Sequence, residues 1–170
     1  MMNLTKIIHA YDFAKTAHRE QKRKTGEPCI THPVAVSQIL HEQGADETTI
    51  CAALLHDVVE DTPISLKTIE EKFGKDIAFL VDGVTKDENK EKTFEKVNKY
   101  SSKDKRVALL KLADRIHNTS ALENGNTGLE KMQAKYTLTN FWYIQLGREH
   151  GYESLAEQLA MLTKKHCLPK

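Results

Sequence analysis

The sequence contains little that would indicate a secreted, membrane-bound or nucleic-acid-binding protein. Its three cysteines, Cys29, Cys51 and Cys167, are an odd number without the spacing of a disulfide framework, which favours a reducing cytoplasm. No stretch approaches the ~20 apolar residues of a membrane span, and residues 1–14 lack the apolar core of a signal peptide. The net charge is only +1, so we expect neither a nucleic-acid nor a membrane partner. An anionic ligand would need a local cluster of basic residues.

Segments with helical periodicity fill most of the chain, and no segment has the convincing alternation of a strand. Glycine, proline and capping residues separate the segments. The predicted helices cover residues 4–20, about 32–43, 46–61, 66–73, 77–84, 93–100, 103–122, 129–150 and 153–165. The predicted fold class is therefore all-α, a helical bundle of about eight or nine helices. A chain of 170 residues has the length of one domain.

The predicted central helix ends in an unusual concentration of charge. An apolar run leads into His56 and the carboxylates of Asp57, Glu60 and Asp61, and a following proline should stop the helix. Acids are unfavourable at the negative end of a helix, and residues four apart share a face, which places His56 beside Glu60. A solvated acidic helix end is one interpretation. The apolar neighbours favour a buried segment instead, where unpaired charge is costly and a bound cation would offset it.

A second carboxylate lies on an apolar helix face. In the helix predicted over residues 103–122, Asp114 follows Leu110 by four positions in an otherwise apolar stripe. A buried lone carboxylate is protonated or finds a partner. From this helix alone, a salt bridge to Lys111 or Arg115 and ligation of a metal explain Asp114 equally well.

Two histidines and two aspartates together suit a divalent first-row metal such as Mn, Fe or Zn. Along the chain they come in the order His32, His56-Asp57 and Asp114. This order on an all-helical chain resembles the HD superfamily of metal-dependent phosphohydrolases. The surrounding segments look like the hydrolase domain of RelA/SpoT-type alarmone enzymes, in the same order and over about residues 5–122. These segments are Arg23–Pro28, Thr31–Pro33, Ala53–Thr62, Leu80–Lys86 and Lys111–Asn118.

The resemblance implies hydrolysis of the 3′-pyrophosphate of (p)ppGpp to GDP or GTP and pyrophosphate. It implies one Mn²⁺ per chain, with Fe, Zn or Co possible in its place. The implied metal ligands are His32, His56, Asp57 and Asp114. Glu60 and Asp61 match the pair that orients and deprotonates the attacking water. Open coordination positions would take this water and a phosphate oxygen, because a divalent metal makes water more acidic and offsets phosphate charge.

The resemblance also implies contacts to a small-molecule nucleotide substrate. Arg23 would stack on guanine with its planar cation. Lys24 and Thr25 would contact the nucleotide and its phosphates. Asn118 matches a ribose or phosphate contact, and Tyr136 falls where small alarmone hydrolases carry a tyrosine on the substrate side.

Several positions depart from the pattern of the family. Cys29 stands where an aromatic residue is usual, Ser120 lies in a segment that usually carries Arg or Thr, and Met132 stands where stand-alone hydrolases tend to have Arg. These changes leave the implied metal ligands intact and concern the phosphate side. They leave open an HD phosphohydrolase of another nucleotide, such as an adenosine alarmone or NADPH. A non-catalytic alarmone-binding module is a further alternative, although the catalytic acid pair is present.

The length of the chain leaves no room for a synthetase, TGS or ACT domain beside the hydrolase domain. We therefore expect a stand-alone small alarmone hydrolase, with one HD-type domain over residues 1–170 and C-terminal helices over residues 129–166. The aromatic residues of the predicted helix at 129–150 are expected to pack in the core. They are Tyr136, Phe141, Trp142 and Tyr143.

Overall fold

The computed structural model describes residues 3–122 and 129–164, except for the side chain of residue 129. In these ranges the regular elements are all helical, and the one β contact is an isolated antiparallel bridge between Lys22 and Pro28. The all-α prediction is confirmed. The turn predicted over residues 123–128, the last residue of the final predicted helix and Cys167 lie outside the described residues.

Eleven α-helices and one π-helical segment make up the described chain. In order they are α1 (Leu4–Ala17), α2 (Thr31–Glu42), α3 (Glu47–Leu55), α4 (Val58–Asp61), α5 (Leu66–Phe73), α6 (Lys75–Val84), α7 (Lys90–Ser101), α8 (Arg106–Leu122), α9 (Leu129–Leu138), the π segment (Thr139–Tyr143), α10 (Ile144–Glu149) and α11 (Glu153–Lys164). Two predicted helices are interrupted, one between α3 and α4 and one by the π segment. When each interrupted helix is counted once, this part of the chain has the nine predicted segments.

Short polar side chains and glycine set several helix ends as the sequence predicts. The Asp46 carboxylate accepts a hydrogen bond from the amide of Thr49, 2.8 Å away, at the start of α3. The Ser65 hydroxyl does the same for the amide of Thr68 at 3.2 Å, at the start of α5. Gly74 ends α5 with φ of 95°, in the left-handed region that favours glycine. These caps fix where α3 and α5 begin and where α5 ends.

The central helix is not continuous, which corrects the predicted helix over residues 46–61. His56 and Asp57 form a turn between α3 and α4. The Nδ1 atom of His56 donates a hydrogen bond to the carbonyl of Ala53 at 2.7 Å. In a continuous α-helix that carbonyl accepts from the amide of Asp57, so the imidazole competes with the helical hydrogen bond. The chain turns at the two residues that carry the His-Asp pair.

The core surrounds α8, which packs against α2, α6, α7, α10 and α11. Leu110, Leu112 and Ala113 of α8 are fully buried, and the apolar residues of α3 are buried as well. α3 in turn packs against α1, α2 and α6. The start of α2, the end of α3 and the middle of α8 therefore come together, and they carry the candidate site. No helix in the described ranges combines the length and the apolar character needed to span a membrane.

The aromatic residues near the C-terminus do not all pack in the core. Tyr136 and Tyr143 are buried, and Trp142 stacks on Phe94 with ring centroids 4.0 Å apart. Phe141 is 79% exposed, so the prediction of core packing is wrong at this position. Position 141 is five residues after 136 and two before 143, and on a helix neither spacing shares a face with the buried tyrosines.

Candidate metal centre and the adjoining cavity

Four predicted ligands converge where α2, the turn after α3 and α8 meet. The Nε2 atom of His32 lies 3.1 Å from Asp114 Oδ1 and 3.6 Å from Asp57 Oδ2. The Nε2 atom of His56 lies 3.2 Å from Asp57 Oδ1 and 3.9 Å from Asp114 Oδ1. One ligand atom each from His32, His56 and Asp57 falls within 4.8 Å of the others. These four residues, the first and last of which are 82 positions apart in sequence, thus share one small volume.

The donor set fits a divalent metal ion. The Nε2 atom of His56 is buried and makes no hydrogen bond, although a carboxylate oxygen lies close by. Because Nδ1 of the same ring donates to a backbone carbonyl, the Nε2 atom carries a free lone pair that faces the carboxylates. Two imidazole nitrogens and two carboxylates are the ligands that first-row divalent metals take in proteins. The cluster is therefore a candidate divalent metal site.

Asp114 lies beside a buried lysine and beside both histidines of the cluster. Lys111, buried on the same helix, lies 3.5 Å from Asp114 Oδ2 and donates to the carbonyl of Val84 at 3.0 Å. Arg115 points elsewhere, so the salt bridge involves Lys111 alone. Burial would raise the pKa of the Asp114 carboxyl, but the Lys111 charge and the neighbouring imidazole of His32 outweigh it and hold the pKa well below its usual range. Asp114 is thus ionised beside both its lysine partner and the histidines.

Asn118 also contacts Asp114. Its Nδ2 atom donates to Asp114 Oδ1 at 2.6 Å, and its side chain lines the adjoining cavity. The residue predicted to touch the ribose or a phosphate therefore also orients a candidate metal ligand. Asn118 can reach Asp114 because the two residues are four positions apart on α8 and share one face.

His117 is a part of the site that sequence reasoning missed. Its Nδ1 atom lies 2.7 Å from Nδ1 of His32, and the two ring centroids are 4.8 Å apart. Burial and the neighbouring charges of His32 and Arg23 lower the pKa of His117 to about 4. The only sequence signal was its place inside the matched segment on α8, three residues after Asp114.

The two predicted catalytic acids have different surroundings. Glu60 accepts hydrogen bonds from the ammonium group of Lys86 and from the amide of Lys86, at 3.2 Å for the amide. The pKa of Asp61 is raised by burial and by the charges of Asp57 and Glu60. Over residues 3–122 and 129–164, neither a hydrogen bond nor an ion pair reaches the Asp61 carboxylate. The Lys86 contact was not predicted, although this lysine ends a matched segment.

A cavity of about 460 Å³ adjoins the cluster, within the size range of small-molecule sites. The four predicted ligands and both predicted catalytic acids line it. So do the predicted substrate contacts Arg23, Lys24, Thr25 and Asn118. Further basic residues complete its wall, namely Lys86, Lys111, Arg115 and Lys135. The cavity therefore joins a cluster of acids and histidines to a basic surface.

Tyr136 is not brought into this cavity. Its side chain is only 1% exposed, and Tyr143, one heptad later, lines the cavity instead. The guanidinium of Arg115 lies over the Tyr143 ring, 4.7 Å from its centroid. Arg115 also donates to the Thr139 hydroxyl at 2.7 Å and to the carbonyl of Lys135 at 2.6 Å. This arginine ties the π segment to α8.

Two of the three positions that depart from the family pattern lie beside predicted nucleotide contacts. Cys29 lines the large cavity, and burial raises the pKa of its thiol. Ser120 lines a second cavity of about 240 Å³, together with Arg23 and Thr25. The Ser120 hydroxyl donates to the carbonyl of Ile116 at 3.0 Å. Two of the three departures therefore alter walls shared with Arg23.

Known proteins resemble this chain in sequence and in structure. The guanosine-3′,5′-bis(diphosphate) 3′-pyrophosphohydrolase of Aquifex aeolicus is 41% identical over 96% of the chain, and the bifunctional (p)ppGpp synthase/hydrolase SpoT of Escherichia coli is 42% identical over 91%. The chain spans 24% of the length of each. A solved structure of a metazoan ortholog of SpoT that hydrolyses ppGpp superposes with a TM-score of 0.80 at 29% identity, over 96% of this chain and 97% of that one.

A family model described as an HD domain matches residues 10–144. The match includes α2, the turn at residues 56 and 57, and α8, which carry the four converging side chains. The all-helical fold and the His, His-Asp, Asp cluster agree with that match. This chain belongs to the HD domain family.

Proposed function

We propose that this chain hydrolyses the 3′-pyrophosphate of (p)ppGpp, releasing GDP or GTP and pyrophosphate. The observation that carries the proposal is the convergence of His32, His56, Asp57 and Asp114 beside a cavity with a basic wall. Sequence relatives named for this activity support it. The proposal includes a cytoplasmic location, as the sequence composition favours.

A divalent ion held by the four ligands would supply Lewis-acid chemistry, because it offsets charge on phosphate oxygens and makes water more acidic. We propose Mn²⁺, one per chain, with Fe, Zn or Co able to replace it. The hard carboxylates and borderline imidazoles of the site suit all four metals. Elemental analysis of the protein as purified identifies the resident ion.

The chain's own acids would handle the proton of the attacking water. Asp61 is the better proton acceptor of the pair, because its pKa is raised and its carboxylate has no partner in the described part of the chain. Glu60 is held by Lys86 and would orient the water. The water oxygen bonds to phosphorus, its proton passes to Asp61, and the ribose 3′ oxygen leaves and takes up a proton. General base catalysis of this kind contributes typically ~10²–10⁴-fold.

The basic wall would hold the nucleotide. Arg23 would stack on the base, and Lys24 and Thr25 would contact the nucleotide and its phosphates, since all three line the cavity. Asn118 would contact the ribose or a phosphate while it orients Asp114. Tyr136 stays a prediction that its buried position does not support.

A second candidate is hydrolysis of another nucleotide, an adenosine alarmone or NADPH. Cys29 and Ser120 favour it, because these departures from the family pattern line the cavities next to Arg23. A panel of nucleotides ranked by kcat/KM separates the two. An optimum at guanosine tetraphosphate would remove this second candidate.

The direct test is pyrophosphate release from ppGpp by the purified protein with Mn²⁺. We expect Asp57→Ala to abolish release. Asp12→Ala, which changes an exposed aspartate of α1 away from the cavity, should leave release unchanged. Absence of release by the wild-type protein with every divalent metal tried would contradict the proposal.

A further inference from the structure

The contact between His32 and His117 joins two helices through a single proton. The two Nδ1 atoms are 2.7 Å apart, although the residues are 85 positions apart in sequence. One nitrogen must donate and the other must accept, since two protonated nitrogens would repel and two bare ones would leave lone pairs facing each other. The state of one ring therefore fixes the state of the other.

The opposite side of the His32 ring determines which nitrogen donates. Its Nε2 atom is the one that faces Asp57 and Asp114, at 3.6 and 3.1 Å. A ligand nitrogen needs its lone pair free, so the ring proton of a ligating His32 lies on Nδ1. The Nδ1 atom of His117 is then the acceptor, and His117 is neutral with its own proton on Nε2.

His56 offers an internal comparison. Its Nδ1 atom also donates at 2.7 Å, but to the backbone carbonyl of Ala53. That acceptor belongs to the fold and is present whatever the side chains are. The acceptor for His32 is a side chain that a substitution removes. Of the two imidazoles, only His32 depends on a replaceable partner.

We propose that His117 is a positioning residue, which fixes the tautomer and orientation of His32 and so sets the affinity of the site for divalent metal. The proposal rests on the metal-binding part of the proposed function and not on the nucleotide. It gives α8 two tasks, since the helix carries the ligand Asp114 and, three residues later, the acceptor for another ligand. Removal of such outer partners typically weakens metal binding ~10–100-fold.

Two substitutions separate the acceptor from the bulk of the ring. His117→Leu replaces the imidazole with an apolar side chain of similar size and removes the hydrogen-bond acceptor. His117→Asn places a carbonyl oxygen close to where Nδ1 lies and so keeps an acceptor there. In titration calorimetry of the metal-stripped full chain with Mn²⁺, we expect a ~10–100-fold weaker Kd for the leucine variant. The asparagine variant should recover most of the loss, and His41→Leu, at an exposed position of α2, should match the wild type.

Thermal unfolding of the metal-free proteins distinguishes positioning from a purely structural role. A structural role would lower Tm in the leucine variant and leave Kd unchanged. That result, or equal weakening by leucine and asparagine, would overturn the proposal. Failure of the wild type to bind Mn²⁺ in a manner that depends on His32 would overturn it as well.

A measurement without substitutions covers the case in which a variant fails to fold. Nitrogen-15 spectra of the histidines in the Zn²⁺-loaded wild type should show the proton of His32 on Nδ1 and that of His117 on Nε2. A proton on Nδ1 of His117 would contradict the proposal. Metal binding of the expected kind without pyrophosphate release from any nucleotide would remove the proposed function and leave the role of His117 intact.

Discussion

At the scale of single residues, the site depends on a buried pair of opposite charges. Lys111 is 5% exposed and lies 3.5 Å from Asp114. Burial would lower the pKa of Lys111, but the charge of Asp114 outweighs this effect and raises it. Both groups therefore stay ionised in a place where each needs the other. The pair keeps the carboxylate charged before any metal binds.

We expect Lys111→Met to destabilise the metal-free protein by about 3 kcal/mol, because removing one partner leaves an uncompensated buried charge. Urea denaturation of the metal-stripped protein measures the loss. Lys99→Met, at an exposed position of α7, is the matched control and should change little. Mn²⁺ should restore part of the stability of the variant, because its charge replaces that of the lysine. Equal stability of variant and wild type would refute the role of the pair.

The sequence predicted the residues of this site better than their contacts. Periodicity placed Asp114 on an apolar face, and the segments around the His-Asp pair gave the resemblance that implied the ligand set. Contacts between side chains of different segments could not be predicted, because periodicity describes one helix and not its neighbours. The contacts of His117 with His32 and of Lys86 with Glu60 are examples.

At the scale of elements, an arginine joins the starts of α3 and α8. Arg106, the first residue of α8, donates a hydrogen bond to Asp104, two residues before it, at 2.6 Å. It also donates to Asp46, the cap of α3, at 2.8 Å. The hydrogen bond from Arg106 lowers the pKa of Asp104. For Asp46, burial would raise the pKa, but hydrogen bonds from Thr49 and Arg106 lower it. Two of the three helices that bring the ligands together, α3 and α8, are thus linked at their starts.

The pH dependence of this link has a definite sign. An acid whose pKa is lowered in the folded state contributes stability above its unfolded pKa and loses it as the pH falls through the folded value. We expect Arg106→Met to cost about 1 kcal/mol at pH 7. The difference from the wild type should vanish as the pH falls below the usual carboxylate range near 4. Arg148→Met, at an exposed position of α10, is the control, and a difference independent of pH would contradict the assignment.

A second link holds the C-terminal helices against the cavity wall. Arg115 bonds the Thr139 hydroxyl and the Lys135 carbonyl and lies over the ring of Tyr143. We expect Arg115→Lys, which lacks the planar fork, to speed amide hydrogen exchange in α9 and the π segment. Exchange in α3 should not change. The variant Arg148→Lys serves as the control, and unchanged exchange in α9 would argue against the link.

Two features of the elements differ from the sequence-based expectation for different reasons. At the turn of His56 and Asp57 an imidazole donates a hydrogen bond to the carbonyl of Ala53, a contact that helical periodicity does not anticipate. The exposure of Phe141 was predictable, since its spacing from Tyr136 and Tyr143 places it on the opposite helix face. The aromatic content alone suggested that all four residues pack in the core, but the position of Phe141 on the helix leaves its side chain exposed.

At the scale of the whole molecule, the all-α class and the positions of nearly all helices followed from periodicity and caps. The way in which α2, α3 and α8 pack did not, because the order of helices along the chain does not specify their neighbours. That packing brings residues 32, 56, 57 and 114 together and places the basic wall beside them. The function proposed for the chain depends on this convergence.

The central claim is that these four side chains hold one divalent ion. Pulsed electron paramagnetic resonance of Mn²⁺ added to the metal-stripped wild-type protein tests it most directly. We predict one bound ion per chain whose spectrum shows two coupled imidazole nitrogens, with one coupling lost in His32→Ala and binding at least ten-fold weaker in Asp114→Ala. A bound ion without imidazole coupling, or a spectrum that neither substitution changes, would contradict the account.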